Sequence, residues 1–168
     1  AISRAKEISA DIVLGTDPDC DRVGIAVRDK DGEYQLFTGN QTGALLVKFV
    51  LEQKKASLNS KSTLVKTIVT SELGANIARS FGLNVEETLT GFKYIGDKIN
   101  KYENSDNREF VIGYEESYGY LVGTYARDKD GVVSSMLICQ MAAWYKAQGK
   151  TLIDGLNEIY AEYGYFLD

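Results

Sequence analysis

The sequence predicts an α/β fold: a mixed, mostly parallel sheet with helices on both faces, preceded by a short group of strands that carries an acidic loop. Three observations lead there. From residue 40 onward, apolar runs and helical-period segments follow in the order α, β, α, β, α, β, α, α. Strands separated by helices imply right-handed crossovers between parallel neighbours. Before residue 40, short apolar runs are joined by tight polar turns, the pattern of a small antiparallel unit. At 168 residues the chain can form one core plus a leading piece, burying about 68–70% of its unfolded surface. The expected division is 1–39 for the leading strands and 40–168 for the main unit.

The elements follow in order. Ala1 to Ala10 reads as the tail of a helix feeding a strand, which suggests a piece cut from a longer protein. Asp11 to Gly15 and Val23 to Val27 read as strands flanking the acidic loop. Asp29-Lys30-Asp31-Gly32 is a hairpin turn in which Gly supplies a positive φ, and Tyr34 to Phe37 returns as a third strand. Gly39 to Gly43 is a junction where Asn40 is expected to cap the helix Ala44 to Lys54, whose Leu45, Leu46, Phe49 and Val50 share one face.

Leu64 to Val69 is expected as a buried strand, and Thr70-Ser71-Glu72 opens a helix to Phe81 that stops at Gly82. Leu83 to Leu89 is the next strand, and Thr90-Gly91-Phe92-Lys93 starts a helix to about Lys101. Glu109 to Gly113 is the last strand, followed by a Gly- and Tyr-rich loop. Val132 to Ala147 is a long helix with Val133, Met136, Leu137, Gln140 and Trp144 along one side, and Thr151 caps a final helix through Tyr163.

Composition removes several classes of function. The chain has no histidine, which excludes Ser-His and Cys-His catalysis and His-ligated zinc within it. Proton transfer must then fall to Asp, Glu, Lys or Tyr. A net charge of −5 with no basic stripe argues against nucleic acid. No apolar run approaches the roughly 20 residues a membrane span requires. Two distant cysteines, Cys20 and Cys139, fit a reduced cytoplasmic setting, with Cys139 expected to pack in a helix.

Asp17-Pro18-Asp19-Cys20-Asp21-Arg22 is the most informative stretch. Three carboxylates at alternate positions, on a turn leaving a strand, converge readily on one hard cation. Mg²⁺ prefers oxygen ligands and characteristically bridges a few carboxylates to a substrate phosphate. Pro18, the only proline, stiffens the turn, and mutual repulsion among the acids is relieved by a cation. Arg22 adds a fixed cation suited to phosphate. An EF-hand is excluded, because its sixth and twelfth positions are here Arg22 and Arg28. A solvated acidic turn is the plain alternative.

In parallel sheets, ligands gather at the carboxyl ends of strands. Thr70-Ser71, Thr90-Gly91 and Glu115-Glu116-Ser117 all fall at such ends. A carboxylate with a hydroxyl two residues on matches two neighbouring sugar hydroxyls. Thr90-Gly91 offers outward N–H groups and close approach, although an ordinary helix start reads the same way. Arg127-Asp128-Lys129-Asp130-Gly131 holds a lysine between acids that could act as a general acid, against the alternative of a solvated turn.

Together, in this order and spacing, the metal loop, Thr90-Gly91-Phe92-Lys93, Glu115 to Gly119 and Arg127 to Gly131 resemble the α-D-phosphohexomutases, the phosphoglucomutase/phosphomannomutase group, over essentially the whole chain. Such proteins have four domains around one cleft. The resemblance implies that this chain holds the end of the second domain and nearly all of the third, ending near Phe166-Leu167-Asp168. It implies interconversion of hexose 1- and 6-phosphates through a phosphoserine and a bisphosphorylated sugar. Asp17, Asp19 and Asp21 would bind Mg²⁺ and Arg22 would steer phosphate. Thr90, Gly91, Glu115, Ser117 and Arg127 would line the sugar pocket, and Lys129 would contact substrate and transfer protons. The first-domain serine and the fourth-domain phosphate loop are expected outside this chain, so the 168 residues alone should be inactive. Tyr114 stands where other branches have Gly. A haloacid-dehalogenase-type phosphatase and a non-catalytic sugar-binding module stay open as rival readings.

Overall fold

The computed structural model describes residues 1–105 and 107–167; Asp168, the expected last residue of the second unit, lies outside them. Helix α1 (Ile2–Ile8) leads into an antiparallel sheet of β1 (Ile12–Thr16), β2 (Val23–Arg28) and β3 (Tyr34–Phe37), in the order β1-β2-β3. The expected hairpin turn forms. Asp29 Oδ1 accepts from the N–H groups of Asp31 at 2.9 Å and Glu33 at 2.8 Å, and Gly32 takes a φ of 87°.

Helix α2 (Gly39–Lys54) begins earlier than expected, because its cap is Thr38 and not Asn40. Thr38 and Gln41 form a capping box, each side chain bonding the other's backbone. Asn40 is buried inside the first turn, where its Oδ1 accepts the Ser71 N–H at 3.1 Å. The chain then runs through β4 (Ser62–Thr67), α3 (Glu72–Ser80), β5 (Asn84–Thr88), α4 (Phe92–Glu103) and β6 (Glu109–Glu115). Strands β5 and β6 flank β4 in parallel, giving the order β5-β4-β6-β7.

The edge strand β7 (Gly119–Val122) was not expected. The segment read as a loop instead folds back antiparallel on β6, pairing Tyr114 with Tyr120. Its turn carries Tyr118 at a φ of 67°, so the residue that permits the hairpin is not the usual glycine or asparagine. Strand β4 ends at Thr67, two residues short of the expectation, and Ile68 and Val69 emerge into solvent. The mostly parallel sheet with helices on both faces is as expected. Leu64, Ile112 and Tyr114 pack with α2 and α3, while Val65, Phe110 and Leu121 pack under Phe92, Ile95 and Ile99 of α4.

Helix α5 (Gly131–Ala147) and helix α6 (Leu152–Tyr163) complete the first layer. The buried face of α5 is Ser134, Ile138, Met141 and Tyr145, rotated from the expected stripe. Met136 and Gln140 are exposed, as is Cys139, while Leu137 and Trp144 pack at the edge of the core. Two anchors at the first turn set this rotation. Gly131 N–H donates to Cys20 O at 2.9 Å, and Ser134 Oγ donates to Tyr120 O at 3.3 Å. No helix among the described residues is long and apolar enough to cross a membrane.

Tyr114 is fully buried and stacks on Tyr120 at 6.4 Å between ring centroids. Gly43 of α2 and Gly74 of α3 make room for it, since a Cβ at either position would run into the ring or its hydroxyl. Gly43→Ala should therefore destabilise the chain. Overpacking costs about 1–3 kcal/mol, against a helix-propensity gain of about 0.5–1 kcal/mol. Gly15→Ala, with nothing within 4 Å of the new carbon, should change the urea midpoint far less.

Candidate active site

The acidic loop leaves β1 and is closed by its own backbone. Cys20, at a φ of 58°, donates its N–H to Asp17 O at 3.1 Å, and Asp17 Oδ1 accepts the Arg22 N–H at 3.1 Å. Slight desolvation is the largest single influence on Asp17 and works against its ionisation, but the Arg22 N–H together with the loop's other hydrogen bonds, from Asp21, Asp19 and the Asp17 backbone, outweighs it and holds the carboxyl below the usual range. This turn brings one carboxylate oxygen each from Asp17, Asp19 and Asp21 within 4.8 Å of one another. Oxygens around an octahedral Mg²⁺ with bonds of about 2.0–2.1 Å lie roughly 3–4 Å apart. Small side-chain rotations would close the cluster on such an ion, and an all-oxygen donor set suits it.

The loop is clamped to the second sheet. Arg22 bridges Gly119 in antiparallel fashion, and Val23 N–H donates to Tyr118 O at 3.2 Å. The base of α5 presses on it from the other side, where a Cβ on Gly131 would sit 2.7 Å from Cys20 O and 2.9 Å from Arg22 O. Only a glycine fits there.

Lys129 joins the cluster to the rest of the site. Its side chain is one-tenth exposed, runs over Gly119, and places Nζ 2.8 Å from Asp21 Oδ2 and 3.0 Å from Asp128 Oδ1. The ammonium also lies 5.7 Å from the centre of the Phe92 ring. Burial would lower its pKa, but the hydrogen bonds it donates to Asp21 and Asp128 prevail and hold it above the ordinary lysine value. Lys129 thus stays charged near neutral pH and offsets part of the repulsion among the three acids. Arg22 lies farther off, with Nε 3.7 Å from Asp21 Oδ1, and half of its side chain faces solvent.

Beyond Gly119 lies the turn between β6 and β7, where two adjacent glutamates diverge. Glu115 is buried and its Oε1 accepts the Gly91 N–H at 2.9 Å, at the start of α4. Glu116 points the other way, its Oε2 accepting from Thr70 Oγ1 at 3.0 Å and Thr67 Oγ1 at 3.4 Å. The Glu116 carbonyl lies against Gly39, whose lack of a side chain permits the contact. Ser117 is half-buried at the bend, and Thr90 is exposed beside Gly91.

The structure therefore brings Asp17, Asp19, Asp21, Arg22 and Lys129 together, and links them through Tyr118 and Gly119 to Glu115, Ser117, Gly91 and Thr90. It does not bring Arg127 there. That guanidinium is taken up by Asn100 at 2.5 Å, by Glu103, and by the carbonyls of Thr124 and Ala126. These partners put it at the far end of α4 from Gly91. The sequence reading missed Lys66 and Thr67, and named Glu116 only as part of the strand-end run Glu115-Glu116-Ser117. Lys66 is almost fully buried and pairs with Glu72 at 2.8 Å and Glu87 at 3.0 Å. Its signal was a lysine inside the otherwise apolar run Leu64-Val65-Lys66-Thr67-Ile68-Val69.

Comparison with known proteins bears on the family and the fold. The family described as Phosphoglucomutase/phosphomannomutase, alpha/beta/alpha domain III, matches residues 38–163. A phosphoglucomutase from Staphylococcus haemolyticus is 39% identical over 168 residues, covering all of this chain and 30% of that protein. The chain thus spans about a third or less of the length of the curated relatives it matches. Among solved structures, a protein from Thermus thermophilus assigned as a phosphomannomutase superposes with a TM-score of 0.72 at 25% identity, over 97% of this chain and 33% of that one. An Aspergillus fumigatus N-acetylphosphoglucosamine mutase, solved with GlcNAc-6P and magnesium, gives 0.60 at 15% identity, over 97% and 39%.

The Lys66 cluster predicts a pH dependence. The Lys66 ammonium, with Arg79 behind it, holds the Glu72 carboxyl below its ordinary value of 4.5 despite partial burial. The unfolded chain therefore takes up a proton first as pH falls. The stabilisation is present above the ordinary value and disappears as pH drops through the lower folded one. Urea midpoints measured from pH 7 to pH 3.5 should fall below about pH 5, and should fall less steeply in Glu72→Gln.

Proposed function

Because the chain belongs to the phosphoglucomutase/phosphomannomutase family, we propose that the full-length protein interconverts hexose 1-phosphate and hexose 6-phosphate in the cytoplasm. The route passes through a phosphoserine and a bisphosphorylated sugar that turns over between two transfers. The phosphoserine and the loop that grips the substrate phosphate come from outside these residues, so the 168-residue chain alone should not turn over substrate. Residues 1–39 belong, in this reading, to the end of one domain and 40–168 to the next.

The supporting observation is the joining of the acidic loop to the β6–β7 turn. Val23 N–H bonds Tyr118 O at 3.2 Å, and Lys129 spans from Gly119 to Asp21. A metal centre and a carbohydrate-binding bend held at fixed separation are what a phosphosugar needs for one end to be bound while the other reacts. In this reading Asp17, Asp19 and Asp21 hold Mg²⁺, which when bound neutralises charge on the transferring phosphoryl group. Arg22, half-exposed beside them, contributes a second positive charge to that group.

Glu115 uses one oxygen on Gly91 N–H, which leaves the other for a sugar hydroxyl. Ser117, two residues on, offers a hydroxyl that can donate as well as accept. Thr90 and Gly91 complete that wall. Lys129, held protonated by its acidic neighbours, is placed to donate a hydrogen bond to the oxygen exchanged between substrate and phosphoryl group.

The test uses the full-length protein with glucose 1-phosphate, Mg²⁺ and catalytic glucose 1,6-bisphosphate, reading glucose 6-phosphate. Wild-type turnover is expected, and Asp19→Ala should lower kcat by about 100-fold or more, the scale of losing one charge-stabilising group. Glu115→Gln should chiefly raise KM. Hydrolysis of a simple aryl phosphate in place of isomerisation, or full turnover by Asp19→Ala, would overturn the proposal.

A further inference from the structure

The deepest charged group among the described residues lies outside the proposed mutase machinery. Lys66, the penultimate residue of β4, is 1% exposed; its ammonium lies 3.4 Å from the carbonyl of Thr67 in its own strand and closer to three acceptors from three other segments. These are Thr70 O at 2.9 Å, Glu72 Oε1 at 2.8 Å on α3, and Glu87 Oε1 at 3.0 Å on β5. An apolar side chain of similar volume would commonly serve stability as well or better than a buried ion pair. What a methyl group could not do is hold the Thr70 carbonyl.

That carbonyl closes the tight turn Thr67 to Thr70, which also carries the bond from Thr70 N–H to Thr67 O at 3.1 Å. The turn sets two buried hydroxyls side by side, Thr67 Oγ1 and Thr70 Oγ1, 2.7 Å apart. Both aim at Glu116 Oε2, at 3.4 Å and 3.0 Å. Glu116 in turn precedes Ser117 and follows Glu115. A continuous polar chain therefore runs from the buried ammonium to the bend on which the sugar contacts sit.

We propose that Lys66 is a positioning residue that, through the Thr67–Thr70 turn and Glu116, presets the Glu115–Ser117 bend for a hexose ring. This rests on the reading of that bend as the sugar site. The Glu116 carboxylate is tethered away from Glu115, which leaves Glu115 to face Gly91 and the ligand without a second acid swinging into the same space. Without the tether the two like charges at adjacent positions compete for the same region, and the bend must be ordered at each binding event.

The experiment uses the full-length protein. Thr70→Val removes one hydroxyl at constant shape, and Thr70→Ser restores it. Thr70→Val should raise KM for hexose phosphate about 10-fold with kcat changed less than threefold and Mg²⁺ dependence unchanged; Thr70→Ser should return KM to within twofold of wild type. Lys66→Met should raise KM in the same way, and the double variant Lys66→Met/Thr70→Val no further than the larger single effect. A second measurement stands independently of activity: amide hydrogen exchange over residues 115–119 should speed up at least 10-fold in Thr70→Val. Unchanged exchange there overturns the positioning role. Unchanged KM in a protein with mutase turnover overturns it equally, as does a KM defect that Thr70→Ser fails to rescue. Absence of mutase turnover in wild type, with accelerated exchange in Thr70→Val, retains the tether and discards the hexose phosphate assignment.

Discussion

The backbone junction between Val23 and Tyr118 is what the rest of the site depends on. The leading strands share one core with the helices of the main unit through Val23, Ile25, Val27 and Phe37, but that packing alone does not set how the acidic loop meets the β6–β7 turn. A single ladder rung, with Val23 N–H on Tyr118 O at 3.2 Å and Arg22 opposite Gly119, fixes the acidic loop against the β6–β7 turn. Such a rung contributes only about 1 kcal/mol net on its own. Its leverage comes from neighbours that have no other way to sit: Gly131 under the Cys20 carbonyl, and Lys129 threaded over Gly119.

Charge follows the same geometry. Three acids held within 4.8 Å repel one another strongly in a partly desolvated loop. Lys129 answers part of that repulsion from the second sheet, so the electrostatics and the backbone junction favour the same docked arrangement. Lys66 does a parallel task one strand away, where its burial serves geometry at the expense of desolvation. The molecule thus carries two lysines tied to acids: one about nine-tenths buried beside the acidic loop, one sealed beneath the β6–β7 turn.

Much of this was legible in the sequence, for identifiable reasons. Alternating apolar strands and amphipathic helices marked β4, β5, β6 and the helices between them, and Asp29 to Gly32 announced its turn through glycine. The spacing of the three aspartates alone suggested their convergence. What escaped did so because the physical signal was absent or lay elsewhere. Strand β7 was hidden because its turn uses Tyr118 in a left-handed conformation, where glycine or asparagine is the readable cue. The rotation of α5 is set by Gly131 and Ser134 meeting remote carbonyls, which hydrophobic periodicity does not record. Arg127 was expected in the sugar pocket by its company, but Asn100 and Glu103 are brought to it only by the fold. Thr38 and Gln41 did carry a readable capping signature, and Asn40 drew attention from it.

The most direct test of the account is whether the acidic loop and the β6–β7 turn respond as one unit. A Mg²⁺ titration of the full-length protein, followed by the backbone amide resonances of Asp19, Val23, Gly119 and Gly131, measures this. The account predicts that all four shift with a single apparent Kd, because the rung and Lys129 transmit closure of the aspartates across the junction. Shifts confined to residues 17–21, with Gly119 and Gly131 unmoved, would contradict it.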